Sequence, residues 1–438
     1  MALSEARPES AHLMSATVTE VRTGPAADPL AWLATAPPTD ERWYWEIPED
    51  DVAWVGLGSA ATVMTSGPHR FDEAARAAGR LLDGLRVAGP SDSPLPRLAA
   101  GFAFDDSAQA GPWEQFGDGR LSLPAVQVLR RGDRTWVTRI DDHDRPTPVV
   151  AAPGPAVPVT VDPADWADEA SRSHYRKLVV LALAAIEAGE LVKAVPCRSI
   201  RVDRRPDVVR LLSTLRSTYP ACATVSVSIG QASFVAATPE RLAAVHGDRL
   251  HTAALAGSAP RHADPAIDAA LGQGLLTSPK ERSEHAVVVD AVDRALELLG
   301  VVDRHPSEPT LLRLHGIQHL HTPIDAELPA GIGLFDVVGA LHPTPAVAGH
   351  PGGRSAELRS THEGMDRGWF ASPVGWLDSS GDGEFRVALR SALVTGVDTT
   401  LYAGAGVVRG SDPSRELLET DVKLGALLGP VIATSEPR

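Results

Sequence analysis

The sequence predicts an α+β protein, and two kinds of pattern carry that prediction. Apolar and polar residues alternate in several short segments bounded by turn residues, which is typical of antiparallel strand pairs. Other segments place apolar residues at helical spacing between N-cap and C-cap signals. The 438 residues are enough for about two or three domains, or for one large core.

The composition disfavours several classes of protein. Apolar residues other than glycine make up 43% of the chain, so the chain as a whole is not disordered. A formal net charge of −15 disfavours binding to nucleic acid or to an anionic membrane surface. The two cysteines, Cys197 and Cys222, are too few for a disulfide framework. No signal-peptide pattern and no long apolar run occurs, so we expect a cytoplasmic protein.

Composition divides the chain into three regions. Residues 1–28 are small and polar and are expected to form a flexible N-terminal arm. Residues 29–165 predict short strands and one helix, over about 72–87. This region ends in the best linker candidate, the proline-rich segment 146–163. Residues 166–438 carry the clearest motifs.

The third region begins with alternating helix and strand signals. A predicted helix ends near Gly189, which is placed for a left-handed C-terminal cap. Residues 191–202 predict a strand with Lys193 on one face, and residues 223–238 predict a hairpin. Pro196 removes a hydrogen-bond donor from that first strand, which indicates an edge or a bulge and leaves the direction of Lys193 open. Further elements follow: a hairpin over 374–390, a strand over 402–408 and a helix over 412–428.

Residues 278–299 form the clearest predicted helix. Ser278 is its N-cap, and Glu281 would complete a capping box. The predicted buried stripe comprises Val288, Ala291, Ala295 and Leu299. Glu284 lies on that stripe, where a carboxylate is costly unless it is paired or binds a cation. The helix alone leaves a structural ion pair and a cation site equally open.

Three other patterns fall short of known motifs. The glycines of segment 402–410 miss the spacing of a dinucleotide-binding loop. The histidines of segment 315–321 are more typical of core or loop positions than of a metal cluster. Segment 378–384 fits a tight turn better than a calcium loop.

Eight segments occur in one order along the chain: LVKAVPCR (191–198), FVAATPERL (234–242), LAGSAPR (255–261), SPKERSEHAVVVD (278–290), QHLHTPI (318–324), LHPTPAVAGHP (341–351), SPVGWLDSSGDGEFRVALR (372–390), and YAGAGVVRGSDP with ELLETDVKL (402–424). This order resembles the chorismate-utilising enzymes. The resemblance implies the large chorismate-binding fold of anthranilate synthase component I, with stacked, mostly antiparallel sheets flanked by helices. Residues 29–165 would be the variable N-terminal part of this fold, and residues 166–438 the chorismate-binding catalytic region.

Residue types within these segments distinguish the members of the family. In this resemblance, Lys193 stands at the position where isochorismate and salicylate synthases carry a lysine that activates water. Ala256 stands where aminodeoxychorismate synthases carry a nucleophilic lysine, and Phe370 where salicylate synthases usually carry a tyrosine. The resemblance therefore implies an isochorismate synthase, which is an isomerase. The alternatives are a salicylate synthase, an ammonia-dependent anthranilate-type synthase and a noncatalytic chorismate-binding protein.

The resemblance also implies roles for individual residues. Lys193 would activate water for attack on ring carbon 2 of chorismate, and Glu240 would protonate the hydroxyl that leaves carbon 4. We expect an apolar surround to raise the pKa of Glu240. Glu284 and Glu419 match the family's Mg²⁺-binding carboxylates. The substrate-binding positions implied by the resemblance are Gly257, Ser258, His342, Arg390, Gly404, Gly406 and Lys423.

The expected partner is the small molecule chorismate. The resemblance to the water-using members implies no obligatory glutaminase partner and a chain that works as a monomer. We expect no nucleic acid and no membrane as a partner, because the net charge is −15.

Overall fold

A computed structural model describes residues 14–21, 24–106, 109–141 and 143–436. Nine α-helices lie in these ranges: α1 (Pro29–Thr35), α2 (Arg70–Asp83), α3 (Glu169–Glu187), α4 (Val208–Thr218), α5 (Pro265–Thr277), α6 (Pro279–Leu298), α7 (Leu334–Leu341), α8 (Gly352–His362) and α9 (Pro413–Thr434).

The same ranges hold the following β-strands: β1 (Met14–Val21), β2 (Arg42–Ile47), β3 (Val52–Leu57), β4 (Ala61–Thr65), β5 (Leu85–Ala88), β6 (Leu98–Phe102), β7 (Gly119–Leu123), β8 (Val126–Arg131), β9 (Arg134–Ile140), β10 (Lys193–Ala194), β11 (Cys197–Val202), β12 (Ala223–Ile229), β13 (Ala232–Thr238), β14 (Arg241–His246), β15 (Arg249–Pro260), β16 (Arg304–Pro306), β17 (Thr310–Arg313), β18 (Ile317–Glu327), β19 (Gly349–His350), β20 (Pro373–Leu377), β21 (Gly383–Val387), β22 (Ser391–Val394) and β23 (Thr399–Gly404).

These strands form two large sheets. The first has the order β11-β23-β22-β13-β12-β2-β3-β8-β9-β1-β5, and the second has the order β16-β18-β15-β14-β21-β20-β6-β7-β4, with β17 paired to β18. Strands β10 and β19 form a separate small pair. Within the described ranges, β1 and β5 are the one parallel pair of the large sheets. The predicted class of mostly antiparallel sheets with helices is confirmed.

The main core lies between the two sheets. Trp45 and Phe234 of the first sheet share one apolar cluster with Phe102 and Phe385 of the second. The next residue after Phe234, Val235, belongs to a separate cluster beneath helices α1, α4 and α9, because successive strand residues point to opposite faces. Helices α2, α6 and α7 cover the second sheet. The sheets are therefore stacked, with helices outside.

The N-terminal strand corrects the expected arm. Residues Met14–Val21 form β1, which pairs with β9 and β5 rather than remaining loose. Ala16 and Val18 are buried, so alternate small apolar residues are enough to seat this strand in the sheet. Residues 1–13 of the expected arm lie outside the described residues.

The proline-rich segment is not a free linker either. It forms no helix or strand over residues 146–162, but Ala156 is buried and its N–H donates to Thr214 Oγ1 of α4 at 2.9 Å. A side chain at Gly429 of α9 would overlap the carbonyl oxygen of Val159. The segment therefore lies directly on two helices, because its small apolar residues fit their surface.

Two local predictions need correction at the level of single residues. The buried residues of α6 after Glu284 are His285, Val288, Val292 and Leu296. Ala291, Ala295 and Leu299 are only half-buried, so the larger Val and Leu side chains face the core. Ser278 caps α6 as predicted, but its own N–H donates to Gly274, and the second half of the capping box does not form.

Pro196 interrupts the predicted strand over 191–202. The structure divides it into β10 and β11, and β11 is the edge strand of the first sheet. An edge or a bulge is the expected place for a proline in a strand. None of the described helices combines the length and the apolar character needed to cross a membrane.

Candidate active site

A cavity lies where β13, β15, β18 and β23 approach α6 and α9. Nine residues predicted from the sequence line it: Glu240, Gly257, Ser258, Glu284, Arg390, Gly404, Gly406, Glu419 and Lys423. They come from segments that are up to about two hundred residues apart in the chain, and the two sheets bring them together. We refer to this space as the reaction cavity.

Lys193 reaches the reaction cavity through its contact with Glu284. Its side chain is fully buried, and Nζ lies 2.9 Å from Glu284 Oε1. β10 holds the lysine by pairing with β19. A side chain at Gly406 would overlap Glu284 Oε1 and crowd Lys193 Cε. Glycine at position 406 is therefore required for this buried ion pair.

Glu240 lies between β13 and β14 and is buried. Its main chain is fixed on both sides, because its N–H donates to Thr238 Oγ1 at 3.2 Å and its carbonyl accepts from the N–H of Val387 at 3.0 Å. Burial raises the pKa of Glu240 to about 7, although the charges of Lys193 and Lys423 act to lower it. The predicted direction of this pKa shift agrees with the structure.

Two further glutamates accompany the predicted pair of carboxylates. Glu281 on α6 faces Gly257, and Glu416 on α9 pairs with Lys280 Nζ at 3.2 Å. Burial raises the pKa of Glu281, with Glu284 and Glu419 adding to the rise and Lys280 opposing it. Burial and Glu419 raise the pKa of Glu416. The mutual effects on these pKa values show that the carboxylates lie close to one another.

Sequence reasoning missed these two acids, although a signal was present. Glu281 and Glu284 are three residues apart on α6, and Glu416 and Glu419 are three residues apart on α9. Residues at this spacing share one helix face. The same pattern on two helices indicates one acidic face on each, and the structure brings the two faces together.

The chemistry of these donors fits a hard divalent cation. Mg²⁺ is commonly held by one or two carboxylates and otherwise by water. Among the residues that the structure describes, no three acidic, histidine or cysteine side chains converge as a complete metal-ligand group. Glu284 and Glu419 both line the reaction cavity, so they are the carboxylates that would hold such an ion.

Lys423 and Arg390 supply the positive charge of the cavity wall. Lys423 Nζ lies 2.8 Å from both Gly404 O and Glu419 Oε1. Burial alone would lower the pKa of Lys423, but Glu419 and Glu284 raise it. Arg390 is buried, and its backbone has a positive φ of 46°, which is uncommon for a residue with a side chain. Both cations face a space suited to an anion.

His319 lines the reaction cavity, although its segment is more typical of an ordinary core or loop histidine. Its Nε2 lies 3.2 Å from Arg390 Nη2, and its Nδ1 lies 3.0 Å from Ser258 Oγ. A guanidinium only donates, so Nε2 accepts and Nδ1 carries the proton. Burial and the charge of Arg390 hold the pKa of His319 well below its usual range, which keeps the ring neutral.

Glycine is needed at two other positions of the wall. Gly257 has a φ of +77° at a bulge between β15 and β18, a conformation that side chains disfavour. A side chain at Gly404 would overlap Cys197 Sγ. Both residues line the cavity with main chain and no side chain.

His342 does not lie where the resemblance implied. It is absent from the lining of the reaction cavity, and its Nε2 lies 3.2 Å from the carbonyl oxygen of Phe104. The ring also packs edge-on against Phe71 and Phe104. Burial lowers the pKa of His342 to about 3. The ring therefore joins the segment before Pro343 to Phe104 instead of contacting the cavity.

The chain matches the family model described as chorismate binding enzyme over residues 2–431. It belongs to this family of chorismate-binding enzymes. The family predicted from eight sequence segments is thereby confirmed, and the match also includes the N-terminal third, where no specific motif was recognised.

Relatives cover most of the chain. It is 36% identical over 436 residues to the salicylate biosynthesis isochorismate synthase of Pseudomonas aeruginosa, which covers 91% of this chain and 87% of that protein. The isochorismate synthase MenF of Bacillus subtilis is 28% identical to this chain, and the match covers 89% of this chain and 88% of that protein.

Solved structures agree with the fold. The menaquinone-specific isochorismate synthase MenF of Escherichia coli matches with a TM-score of 0.78 and 27% identity, over 95% of this chain and 94% of that one. Anthranilate synthase component I of Streptococcus pneumoniae matches with a TM-score of 0.69 at 16% identity, over 86% of this chain and 92% of that one. The anthranilate synthase component I type of fold is therefore confirmed.

Proposed function

We propose that this chain is an isochorismate synthase that converts chorismate to isochorismate. One observation carries the proposal: Lys193 is buried and paired with Glu284, and Glu284 lines the same cavity as Glu240, whose pKa is about 7. The addition of water and the loss of a hydroxyl require one group that accepts a proton and one that donates a proton. Burial makes Glu240 suitable as the donor. The names of the relatives support the same reaction.

In this mechanism, Lys193 accepts a proton from water as the water oxygen bonds to ring carbon 2. The ring double bond shifts, and the hydroxyl leaves carbon 4 with the proton that Glu240 donates. Lys193 must be neutral before it can act as the base, and its Nζ lies 2.9 Å from Glu284 Oε1. Glu240 is suited to the acid role because burial keeps a fraction of it protonated at neutral pH.

The substrate is a dianion, and its carboxylates need positive partners. Arg390 would bind one carboxylate through its planar guanidinium, and Lys423 would contribute a point charge. His319 Nδ1 donates to Ser258 Oγ. The hydroxyl proton of Ser258 is therefore free to be donated to a substrate carboxylate. Mg²⁺ would be held by Glu284 and Glu419, and when bound it supplies further positive charge for a substrate carboxylate.

Phe370 separates this proposal from a salicylate synthase, which would go on to eliminate pyruvate. Its ring stacks on Tyr402 with centroids 5.3 Å apart, and both rings line the reaction cavity. Phenylalanine presents no hydroxyl to a bound ligand, which favours release of isochorismate. We also propose a cytoplasmic monomer, and size-exclusion chromatography with light scattering checks the oligomeric state.

The decisive experiment is incubation of the purified chain with chorismate, with and without Mg²⁺, followed by chromatographic identification of the product. We expect isochorismate, formed only when Mg²⁺ is present, and no turnover by Lys193→Ala with an unchanged circular dichroism spectrum. Lys177→Ala, on the exposed surface of α3, is the control and should keep full activity. Salicylate with pyruvate, or an aminated product with ammonia, would overturn the proposal, as would a fully active Lys193→Ala variant.

A further inference from the structure

A second cavity adjoins the reaction cavity and shares Arg390 and Lys423 with it. We call this second cavity the vestibule. Four parts of the chain form the rest of its wall: residues 158–161 of the proline-rich segment, residues 217–219 at the end of α4, residues 315–317 before β18, and α9 from Val422 to Pro430. The two shared cations therefore stand at the boundary between the two spaces.

The two cavities differ in their access to solvent. Every described residue that lines the reaction cavity is buried or half-buried. The vestibule, in contrast, is lined in part by exposed residues: Thr160, Ser217, His315 and Val422. A ligand that passes between bulk water and the reaction cavity has an open space here, with its inner end at Arg390 and Lys423.

The charge of the vestibule also differs from that of the whole chain. The formal net charge is −15, yet no aspartate or glutamate is among the described residues that line this space. The charged side chains of its wall are those of Arg390 and Lys423. A cavity lined by one sign of charge raises the local concentration of the opposite charge. The vestibule is therefore suited to a small anion.

Small residues of α9 keep the vestibule open. Gly425 and Ala426 line it, and a Cβ atom at Gly425 would meet only the ring of Pro163, at an ordinary distance of 3.7 Å. Residues 158–161 pass over the same helix and close one side. Gly425 lines the vestibule and a Cβ atom there has no close contact, so a larger side chain would take up space at the vestibule wall without disturbing the helix.

We propose that the vestibule is the route by which a small dicarboxylate enters and leaves the reaction cavity, and that Arg390 and Lys423 bind its carboxylates during passage. The identity of this dicarboxylate as chorismate and its product rests on the proposed function. The route itself follows from the shared cations, the exposed outer residues and the missing acidic side chains.

Introducing either a negative or a positive charge at the outer wall of the vestibule provides the first test. Ser217 is exposed, lines the vestibule, and donates to a carbonyl of its own helix. We expect Ser217→Glu to lower kcat/KM about three- to tenfold at low ionic strength and Ser217→Lys to raise it about twofold, with little change in kcat. Both effects should shrink at high salt, because salt screens exposed charges.

Ser360 is the matched control. It is an exposed serine of α8 that donates to its own helix and lines neither cavity. Ser360→Glu and Ser360→Lys make the same changes in net charge and should leave kcat/KM within twofold of the unmodified chain. Equal kcat/KM values for Ser217→Glu and Ser217→Lys would overturn the proposal.

Blocking the space provides the second test. Gly425→Leu should lower kcat/KM at least about tenfold, while leucine favours the helix over glycine. Gly274→Leu, at an exposed helical glycine with open space around it, should have no such effect. Unchanged kcat/KM in Gly425→Leu would contradict the route.

Calorimetric binding of chorismate to the same variants separates this proposal from the proposed function. If the unmodified chain makes no isochorismate, the proposed function fails, but the rank order of affinities still tests the vestibule. Weaker binding in Ser217→Glu than in Ser217→Lys, without the same difference at position 360, supports it. Affinities that do not depend on the charge at position 217 overturn it.

Discussion

At Glu240, burial and nearby charge act in opposite directions on one carboxyl group. Burial raises its pKa to about 7, and the charges of Lys193 and Lys423 limit the rise. An acid with this pKa is still partly protonated at neutral pH, whereas an exposed glutamate is fully ionised. The position between two strands, rather than the residue type, makes Glu240 suitable as a general acid.

The pKa of Glu240 predicts the pH dependence of turnover. Because the acid must be protonated, we expect kcat to fall as the pH rises through about 7. Glu240→Gln should lower kcat by about 10²-fold or more, because the amide cannot donate a proton of comparable acidity. A kcat that stays constant between pH 6 and 9 in the unmodified chain would exclude Glu240 as the acid.

The same group links stability to pH. The folded-state pKa of about 7 lies above the ordinary glutamate pKa of 4.5. The favourable contribution of Glu240 to stability is therefore complete below about pH 4.5 and is lost as the pH rises through 7. Relative to Glu240→Gln, the unmodified chain should lose up to about 3 kcal/mol of unfolding free energy between pH 4.5 and pH 8. Denaturant unfolding of both proteins at the two pH values measures this difference, and a difference that does not change with pH contradicts the assignment.

Gly406 tests whether the buried pair of Lys193 and Glu284 matters for turnover. A methyl group at this position would overlap Glu284 Oε1, so we expect Gly406→Ala to lower kcat about 10²-fold or more while the chain still folds. Gly396→Ala is the control, because a Cβ atom there meets nothing within 4 Å. Steady-state kinetics with circular dichroism distinguishes loss of the pair from loss of the fold.

Between β10 and β11, side chains replace the main-chain pairing that Pro196 interrupts. Glu363 Oε2 accepts the N–H of Cys197 at 3.1 Å, and Arg367 Nη2 donates to the carbonyl of Val195 at 2.8 Å. The two side chains also pair with each other at 2.6 Å and are almost fully buried. This pair therefore holds the chain on both sides of the proline, close to where Lys193 enters the site.

Removing one member of the buried pair of Glu363 and Arg367 should lower the stability of the fold. Glu363→Ala leaves the buried guanidinium of Arg367 without its carboxylate, and we expect a loss of about 3–5 kcal/mol in the free energy of unfolding. Glu357→Ala, which breaks an exposed pair with Arg354, should cost less than about 1 kcal/mol. Chemical denaturation compares the two, and equal losses would mean that the buried pair does not hold the strands.

In the whole molecule, both large sheets combine strands from the two halves of the chain. β2 pairs with β12 in the first sheet, and β6 pairs with β20 in the second. The division at residues 165 and 166 therefore separates sequence regions and not independent bodies. The main core likewise takes aromatic side chains from both halves.

A fragment of residues 166–438 should consequently fail to fold. It would expose the long edges of β12 and β20 and one wall of the core, and such edges promote aggregation. We expect the fragment to be insoluble or unfolded by circular dichroism and the full chain to unfold in a single transition. A soluble fragment with cooperative unfolding would contradict this view of the sheets.

Local signals were enough to predict many elements. The cap residues around α6, the hairpin of β12 and β13, and the helix that opens at Asp412 all appear where short-range patterns placed them. The last helix continues to Thr434, beyond the predicted end near residue 428, because Pro430 and its neighbours are buried in the fold. Packing can therefore extend a helix past the point where local propensity would end it.

The sequence by itself determined the family, the fold class and nine of the residues that line the reaction cavity, because these depend on residue types in a fixed order. Only the tertiary structure decided that His319 faces the cavity while His342 does not, and that Glu281 and Glu416 join the acidic side. Each of these outcomes depends on neighbours contributed by distant segments. A local pattern specifies which residues could act, but packing between the sheets sets which of them meet.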